Sequence, residues 1–213
     1  MTVNHKKIYR LCKENNLLLQ RKKKIKQFKK LAENHKITGP NQLWQFDIKY
    51  GYIHGEDRPF YFLAFVDVFT KKVISYHIGK ACTATDIKLT LKIGLRSVSE
   101  EEHKNLIIRS DNGPQMSSHH FKAYIDSLDL KHEFTPIRCP DKNAFVESFF
   151  SIFEIEFLQV RYFLSMQEVH RQIRDWIEWY NHRRLHSSLK YNSPEMFISK
   201  FNKGLDFEYV VSA

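Results

Sequence analysis

Three acidic residues occur where their carboxylates could meet at one edge of a predicted sheet. Asp47 lies within the aromatic, alternating stretch from Leu43 to Tyr50, and Asp111 follows the short apolar run from Leu106 to Ile108. Glu147 lies early in a helix predicted farther along the chain. Carboxylates crowded together repel one another unless cations occupy the site, and hard ions such as Mg²⁺ prefer oxygen ligands. Such a site suits phosphodiester transfer, in which divalent ions activate the attacking oxygen and stabilise the leaving one.

Two of the aspartates in these strands also have a simpler interpretation. Asp111 precedes the turn-forming residues Asn112 to Pro114, and Asp before Gly is a common turn signal, so its carboxylate could cap a turn. Asp67 ends the apolar run from Phe60 to Val68 and competes with Asp47 for any ligand role. The metal interpretation requires the strands of Asp47 and Asp111 to be neighbours, because only then do both side chains reach the same edge.

The sheet and helices that must hold these residues are predicted from the apolar pattern. Alternating or continuous apolar runs bounded by Gly or Pro predict strands, and an apolar stripe behind a Ser or Thr cap predicts a helix. The predicted strands span 43–50, 60–68, 73–78, 106–108 and 131–135. The predicted helices run from 83 or 85 to about 97, from 117 or 118, from 140 to about 160, and from a capping box at Ser165 and Glu168. This order indicates an α/β fold with a mixed five-stranded sheet flanked by helices.

Positive charge is concentrated in a basic helical arm at the N-terminus. The formal net charge is +10, and residues 1–30 hold eleven lysines and arginines against one acid, Glu14. A helix is predicted from Val3 to Leu19, and the basic run from Arg21 to Lys30 follows it. Such an arm suits contacts with nucleic-acid phosphates, and a solvated tail is the alternative. The candidate DNA-binding residues here are Lys6, Lys7, Arg10, Arg21, Lys22, Lys23 and Lys24.

Cysteine and hydropathy patterns exclude several classes of protein. Cys12, Cys82 and Cys139 lie far apart, which argues against a disulfide framework and against a zinc site. The sequence has no apolar run long enough to span a membrane, and its N-terminus lacks the apolar segment of a secretion signal. We therefore expect a globular protein of a reducing compartment without a membrane partner.

Five ordered segments resemble the catalytic cores of OrfB-type insertion-sequence transposases, within the retroviral-integrase superfamily. The segments are WQFDIKY, FLAFVDVFTKKVISY, IIRSDNGPQM, NAFVESFF and YNHRRLHSSLKYNSP. Thirty-five residues separate Asp111 from Glu147, which is the spacing of that family's Asp-Asp-Glu motif. The resemblance implies a ribonuclease-H-like fold in which Asp47, Asp111 and Glu147 are the catalytic and metal-binding residues. Asp67 matches a position that we expect to be structural.

The resemblance implies metal-dependent DNA strand cleavage and strand transfer at the ends of an insertion element. A water molecule first cuts the strand to free a 3′ hydroxyl, which then attacks another phosphodiester. The implied cofactor is Mg²⁺ or Mn²⁺, as two ions with DNA bound, and the implied partners are double-stranded DNA of element ends and target and further copies of the chain on that DNA. The setting would be the bacterial cytoplasm. Alternatives are a ribonuclease-H-like nuclease and a catalytically inactive DNA-binding remnant or regulator of transposition.

The resemblance also divides the chain. Residues 1–38 are similar to the last part of a helix-turn-helix segment, residues 39–200 to the integrase-like catalytic core, and residues 201–213 form a C-terminal tail. The upstream helices of that segment are absent from the sequence. We therefore expect a shortened form or the downstream piece of a longer transposase, with an OrfA-type upstream partner.

Some positions depart from the family pattern. Glu154 lies seven residues after Glu147, on the same helical face, where relatives usually have a Lys that can meet DNA phosphate. A carboxylate at that position would repel phosphate. Lys49 and Lys190 stand where relatives commonly have small residues.

Four further polar residues are candidate DNA contacts. Asn143 lies four residues before Glu147 on the same helical face. Arg183, Arg184 and His186 lie in a segment that keeps the family pattern. The alternative for these last three is a structural tie between the final helix and the sheet, since Arg side chains often form structural pairs.

Overall fold

Five of the seven strands in the described part of the chain form a mixed central sheet. The computed structural model describes residues 4–15, 17–18, 30–136, 140–205 and 209–213. The strands are β1 (Lys36–Ile37), β2 (Leu43–Ile53), β3 (Arg58–Asp67), β4 (Val73–Gly79), β5 (Ile107–Ser110), β6 (Lys131–Phe134) and β7 (Val211–Ser212). The helices are α1 (His5–Glu14), α2 (Ala84–Leu95), α3 (Glu100–Asn105), α4 (His119–Ser127), α5 (Ala144–Glu156), α6 (Met166–His182) and α7 (Pro194–Asn202).

The order of the strands confirms the prediction of a mixed sheet. Strands β4, β3, β2, β5 and β6 lie side by side in that order. The first three are antiparallel, whereas β2 pairs with β5 and β5 with β6 in parallel. Strand β2 is therefore central, and the neighbouring strand β5 is the one that leads to Asp111. The condition that the metal interpretation imposes on these two strands is met.

Aromatic side chains of α5 and α6 cover one face of the sheet. Phe62 of β3 lies with its ring centroid 4.7 Å from that of Phe153, which in turn lies 4.9 Å from Trp176. On the other face, Phe46 and Phe65 stack at 4.5 Å beneath α2 and α4. Burying one such ring contributes roughly 1.5–3 kcal/mol to stability. Most aromatic residues of both helices therefore belong to the core, as the sequence predicts, whereas Trp179 of α6 is exposed.

Several helix boundaries differ from the expectations. Helix α5 begins at Ala144, because residues Pro140–Asn143 form a 3₁₀ turn. The predicted capping box of α6 is incomplete, because the Glu168 carboxylate accepts a hydrogen bond from Leu164 N–H at 2.9 Å. Helices α3 and α7 have no counterpart in the prediction.

The termini of the described chain contact the core more closely than the sequence suggests. Ala32 N–H donates to the Phe134 carbonyl at 2.9 Å, and β1 pairs with β7 in an antiparallel two-stranded sheet. Residues 32–37 thus contact the core, and the domain boundary at residue 39 stays a prediction. The candidate DNA contacts Arg21, Lys22, Lys23 and Lys24 lie outside the described residues. Within the described ranges, no helix is long and apolar enough to cross a membrane.

Candidate active site

Asp47 lies within β2, opposite the point where β5 ends. The paired register of β2 and β5 ends at Phe46 and Ser110, so Asp47 and Asp111 follow it on adjacent strands. Asp47 Oδ1 accepts one hydrogen bond, from Ile48 N–H at 2.8 Å. Burial raises the pKa of Asp47 to about 6, and the neighbouring carboxylates of Asp111 and Glu147 act in the same direction. The three acidic residues are thus electrostatically coupled.

Asp111 is held at the end of β5 by hydrogen bonds that its two neighbours in the chain make with Thr135. Thr135 N–H donates to the Ser110 carbonyl at 2.9 Å, and Asn112 Nδ2 donates to the Thr135 carbonyl at 2.6 Å. Asp111 Oδ1 accepts from Gly113 N–H at 2.9 Å, so the residue also caps the turn that its sequence predicts. The capping contact involves one carboxylate oxygen, and it fixes the side chain beside β2.

Glu147 is exposed in the first turn of α5, which Gln45 ties to the central strand. The buried Gln45 accepts, through Oε1, hydrogen bonds from Phe145 N–H and Val146 N–H at 3.1 Å each. Its Nε2 donates to the Lys142 carbonyl at 3.0 Å. Since alternate residues of a strand face the same side, Gln45 and Asp47 point to the same face of β2. One strand therefore carries Asp47 and also anchors the helix that carries Glu147.

A second buried side chain, Arg109, holds the same turn from β5. Its Nη1 donates to the Lys142 carbonyl at 3.2 Å, and its Nη2 pairs with Glu133 Oε2 at 3.0 Å. His35 Nε2 lies 2.9 Å from the other oxygen of Glu133. Because Arg109 and Glu133 are both fully buried, removing either one would leave an unpaired buried charge.

Sequence reasoning missed this clamp of Gln45 and Arg109, although one signal was present. Each residue stands two positions before one of the candidate aspartates, in strands whose other buried residues are mostly apolar. Their partners are backbone groups of the turn before α5, and the sequence does not show which backbone groups approach a strand. The clamp explains how two strands and a distant helix are held in register.

The donor set suits a hard divalent ion, although the side chains are not arranged as a closed metal site. In the part of the chain that the structure describes, no three His, Cys, Asp or Glu side chains form a group that could hold a metal ion as they stand. Three coupled carboxylates on one sheet edge are nevertheless the ligand type that Mg²⁺ and Mn²⁺ prefer. A bound cation would offset the burial and the neighbouring negative charges that together raise the pKa of Asp47.

The rival residue Asp67 has a different environment. It is 1% exposed and accepts hydrogen bonds from Thr70 N–H and Thr70 Oγ–H at 2.7 Å each, and from Asn41 N–H at 2.8 Å. One carboxylate oxygen thus closes the turn between β3 and β4, and the other binds the segment before β2. This environment favours a structural role for Asp67.

The candidate DNA contacts fall into two groups. Those on the surface are Lys6, Lys7 and Arg10 of α1 and Arg183 after α6. Asn143 and His186 are buried, at 3% and 7% exposed, and Asn143 Oδ1 has no hydrogen-bond partner among the described residues. Arg184 binds Glu156 through Nε at 2.8 Å and Nη2 at 2.6 Å. Arg184 thus ties the end of α6 to α5 rather than to the sheet, and the DNA-binding role of these residues stays a prediction.

Glu154, the position where a repulsive carboxylate was expected, is paired. Lys49 Nζ lies 2.8 Å from Glu154 Oε2, so two separate departures from the family pattern contact each other. The pair is formally neutral. The expected repulsion of phosphate by Glu154 is therefore offset by a cation on the neighbouring strand.

Comparison with known families identifies one type of domain over most of the chain. One model described as an integrase core domain matches residues 37–140, and a second with the same description matches residues 128–194. An uncharacterised 39.2 kDa protein of insertion element IS476 from Xanthomonas euvesicatoria is 28% identical over 203 residues, which cover 94% of this chain and 57% of that protein. The transposase InsF of insertion sequence IS3A from Escherichia coli K12 is 28% identical over 171 residues, which cover 80% of this chain and 58% of InsF. The chain thus spans little more than half the length of these two relatives.

Solved structures show the same fold at lower identity. A simian T-cell lymphotropic virus intasome chain aligns with a TM-score of 0.62 and 20% identity, over 80% of this chain and 59% of that one. The catalytic domain of the Mos1 mariner transposase aligns with a TM-score of 0.55 and 15% identity, over 76% of each chain. That Mos1 domain has also been solved with raltegravir and Mg or Mn. The fold is thus that of the ribonuclease-H-like catalytic cores.

Proposed function

The chain belongs to the integrase core domain family, as a catalytic core of the OrfB insertion-sequence type, and we propose that it cleaves and joins DNA strands at the ends of an insertion element. The observation that carries this proposal is geometric: Asp47 and Asp111 follow the paired ends of two adjacent strands, and Gln45 of the same strand binds the first turn of the helix that carries Glu147. Three carboxylates from two strands and a helix have no structural need to be adjacent. Their mutual repulsion is useful only where cations are recruited.

Asp47, Asp111 and Glu147 would hold the divalent cations, two of them when DNA is bound. When bound, Mg²⁺ or Mn²⁺ supplies Lewis-acid activation of the attacking oxygen and stabilises charge on the leaving oxygen. The Mos1 catalytic domain, which shares the fold, binds Mg or Mn in its solved structures and supports this choice of metals. Because Gln45 and Arg109 fix the turn before α5, they keep Glu147 opposite the two aspartates.

The reaction needs no covalent intermediate with the protein. In cleavage, the oxygen of water forms a bond to phosphorus and the 3′ oxygen leaves as a hydroxyl. In strand transfer, that hydroxyl attacks a phosphodiester of the target, and the 3′ oxygen of the target leaves. One phosphodiester is made for each one broken, so the joining step requires no further energy source.

DNA would be bound mainly through phosphate contacts at exposed cations. Lys6, Lys7 and Arg10 lie on the exposed helix α1, and Arg183 is exposed after α6. Arg21, Lys22, Lys23 and Lys24 belong to the same proposal from the sequence alone. Such contacts add affinity with little dependence on sequence. Further copies of the chain on the DNA, and an OrfA-type upstream partner, are part of the proposal because two element ends must be handled together.

The proposal is tested by incubating the chain with a labelled duplex that carries the terminal repeat of the parent element, with Mn²⁺ or with EDTA. We expect shortened strands and longer, joined strands on a denaturing gel with Mn²⁺, and neither with EDTA. Glu147→Gln is the control, because it should abolish both products while DNA retention stays within about twofold. Shortened strands without joined strands would support a nuclease instead.

A catalytically inactive DNA-binding remnant is the second candidate. Glu154 was the feature of the core that favoured it, and the ion pair of Glu154 with Lys49 removes that argument. DNA that is retained but remains uncut with Mn²⁺, also when a helix-turn-helix segment is fused upstream of this sequence, would favour the remnant.

A further inference from the structure

An ion pair spans the gap between the central strand and the helix of Glu147. Lys49 Nζ of β2 lies 2.8 Å from Glu154 Oε2 of α5, and each side chain is 34% exposed. The pair is therefore at the surface, where solvent and a large ligand can reach it. Surface ion pairs of this kind contribute about 0–1 kcal/mol to stability, so folding alone gives little reason for it.

Each member of the pair shares a face with one of the candidate carboxylates. Lys49 follows Asp47 by two residues in a strand, which places the two side chains on the same side of the sheet. Glu154 follows Glu147 by seven residues in a helix, which places them on the same helical face. The positive charge of Lys49 acts on Asp47 in the direction opposite to Asp111 and Glu147. Lys49 is thus a cation at the edge of a site that is otherwise acidic.

From these positions we propose that Lys49 binds a phosphate of the DNA strand entering the carboxylate site, and that Glu154 positions the Lys49 ammonium group for this contact. The inference rests on the proposed function, because it assigns the DNA contact of that same site. A lysine side chain is long and flexible, and its ammonium group has three donors, so it can keep one contact with Glu154 while it donates to a phosphate oxygen. Without Lys49, the carboxylate of Glu154 would repel the same phosphate.

The chain offers a matched control for this pair. Lys72 Nζ lies 2.5 Å from Glu195 Oε1, with side chains 30% and 29% exposed, at the turn between β3 and β4. The two pairs have the same chemistry and nearly the same exposure. They differ in place, because the second pair adjoins the turn closed by Asp67.

The experiment compares the wild type with Lys49→Gln, with Lys72→Gln and with the double variant Lys49→Glu/Glu154→Lys. Cutting with Mn²⁺ and DNA retention at several salt concentrations are both measured on the full chain. We expect Lys49→Gln to cut about tenfold more slowly and to lower the salt slope of binding by about one phosphate contact. Lys72→Gln should match the wild type. The double variant should recover to within about threefold, because it restores one cation and one anion at the same place.

Glu154→Gln tests whether Glu154 positions the Lys49 ammonium group or only repels DNA phosphate. Removal of a negative charge should tighten DNA retention by about twofold, while cutting falls by about threefold because the ammonium group is no longer held. Equal loss of both, together with a lower melting temperature, would mean that the pair only supports the fold.

Two outcomes would overturn the inference about Lys49. One is an unchanged salt slope for Lys49→Gln, and the other is an equal effect of Lys49→Gln and Lys72→Gln. If the wild type itself does not cut, the proposed function fails, whereas the salt slope still decides whether Lys49 contacts phosphate. The two failures are therefore distinguishable.

Discussion

Asp47 and Asp67 lie in adjacent antiparallel strands, and their surroundings differ in one decisive respect. Asp67 accepts hydrogen bonds from three donors, two of Thr70 and one of Asn41, so both of its oxygens are satisfied by the protein. Asp47 accepts one, from Ile48 N–H, and is coupled to two further carboxylates. One aspartate is thus tied into the fold, whereas the other keeps the acceptor capacity that the proposed ligand role requires.

This contrast shows why the residue type and the strand pattern alone could not tell which aspartate is structural and which is a candidate ligand. Both aspartates lie in aromatic strands, and the number of donors around each depends on loops that the pattern does not position. A carboxylate that the protein supplies with donors has little to gain from a cation. A carboxylate short of donors and close to others of its charge binds a cation strongly.

The largest effect is expected for Asp47→Asn. Loss of this ligand should reduce Mn²⁺-dependent cutting by about 1,000-fold or more. The same change should raise the free energy of unfolding at pH 7 by about 1 kcal/mol without divalent ions, because it removes a buried negative charge beside two others. Gel analysis and thermal melting in EDTA measure the two effects. Lower stability together with lost cutting would place Asp47 in the fold instead.

Asp67→Asn should give the opposite result. The amide replaces one acceptor oxygen by a donor that faces existing donors, so we expect a loss of about 3 kcal/mol in the free energy of unfolding. Urea denaturation measures that loss. Cutting per folded molecule should stay within about threefold at low temperature. An unaffected midpoint with abolished cutting would reverse the assignment of the two aspartates.

Gln45→Leu tests whether the clamp links the two strands to Glu147. The change keeps the size of the side chain but leaves the N–H groups of Phe145 and Val146 without their acceptor, at a cost of about 2 kcal/mol. We expect cutting to fall by about 30-fold while DNA retention is unchanged, because Glu147 loses its orientation. Gln42→Leu is the control, since Gln42 bonds with Thr38 rather than with α5. Equal effects of the two substitutions on cutting would argue against a positioning role.

The sequence predicts the fold better than the details of the site. Periodic apolar positions in β2, β3 and β4 and around α2 and α6 locate these elements, since their partners are large apolar faces. The turn Pro140–Asn143 was predicted as helix, because the hydrogen bonds of Gln45 and Arg109 to the Lys142 carbonyl join groups far apart in the chain. The contact of Lys49 with Glu154 was missed for the same reason. Asp47, Asp111 and Glu147 were predicted by family resemblance, and their role remains a prediction.

The smallest effects on stability and DNA binding are expected at the neighbouring residues Arg183 and Arg184. As with the two aspartates, one of them has hydrogen-bond partners within the protein and the other is exposed. Arg184 forms two hydrogen bonds with Glu156 and lowers the pKa of that carboxyl below its usual value. The stability from this pair is therefore present above the unfolded pKa of about 4.3 and is lost as the pH falls through the lowered folded value. Because Glu156 is about one third exposed, Arg184→Lys should cost only about 0.5 kcal/mol at pH 7, and the difference from wild type should shrink toward pH 3 in melting experiments.

Arg183→Gln provides the comparison with Arg184→Lys, since Arg183 is exposed whereas Arg184 is paired with Glu156. If Arg183 contacts phosphate, Arg183→Gln should lower the salt slope of DNA binding by about one contact and leave the melting temperature unchanged. Arg184→Lys should show the reverse pattern. A change in salt slope for Arg184→Lys with no change in stability would mean that a paired arginine can exchange its carboxylate partner for a DNA phosphate. Hydrogen bonding within the protein would then distinguish structural from binding residues less well for arginine than for aspartate.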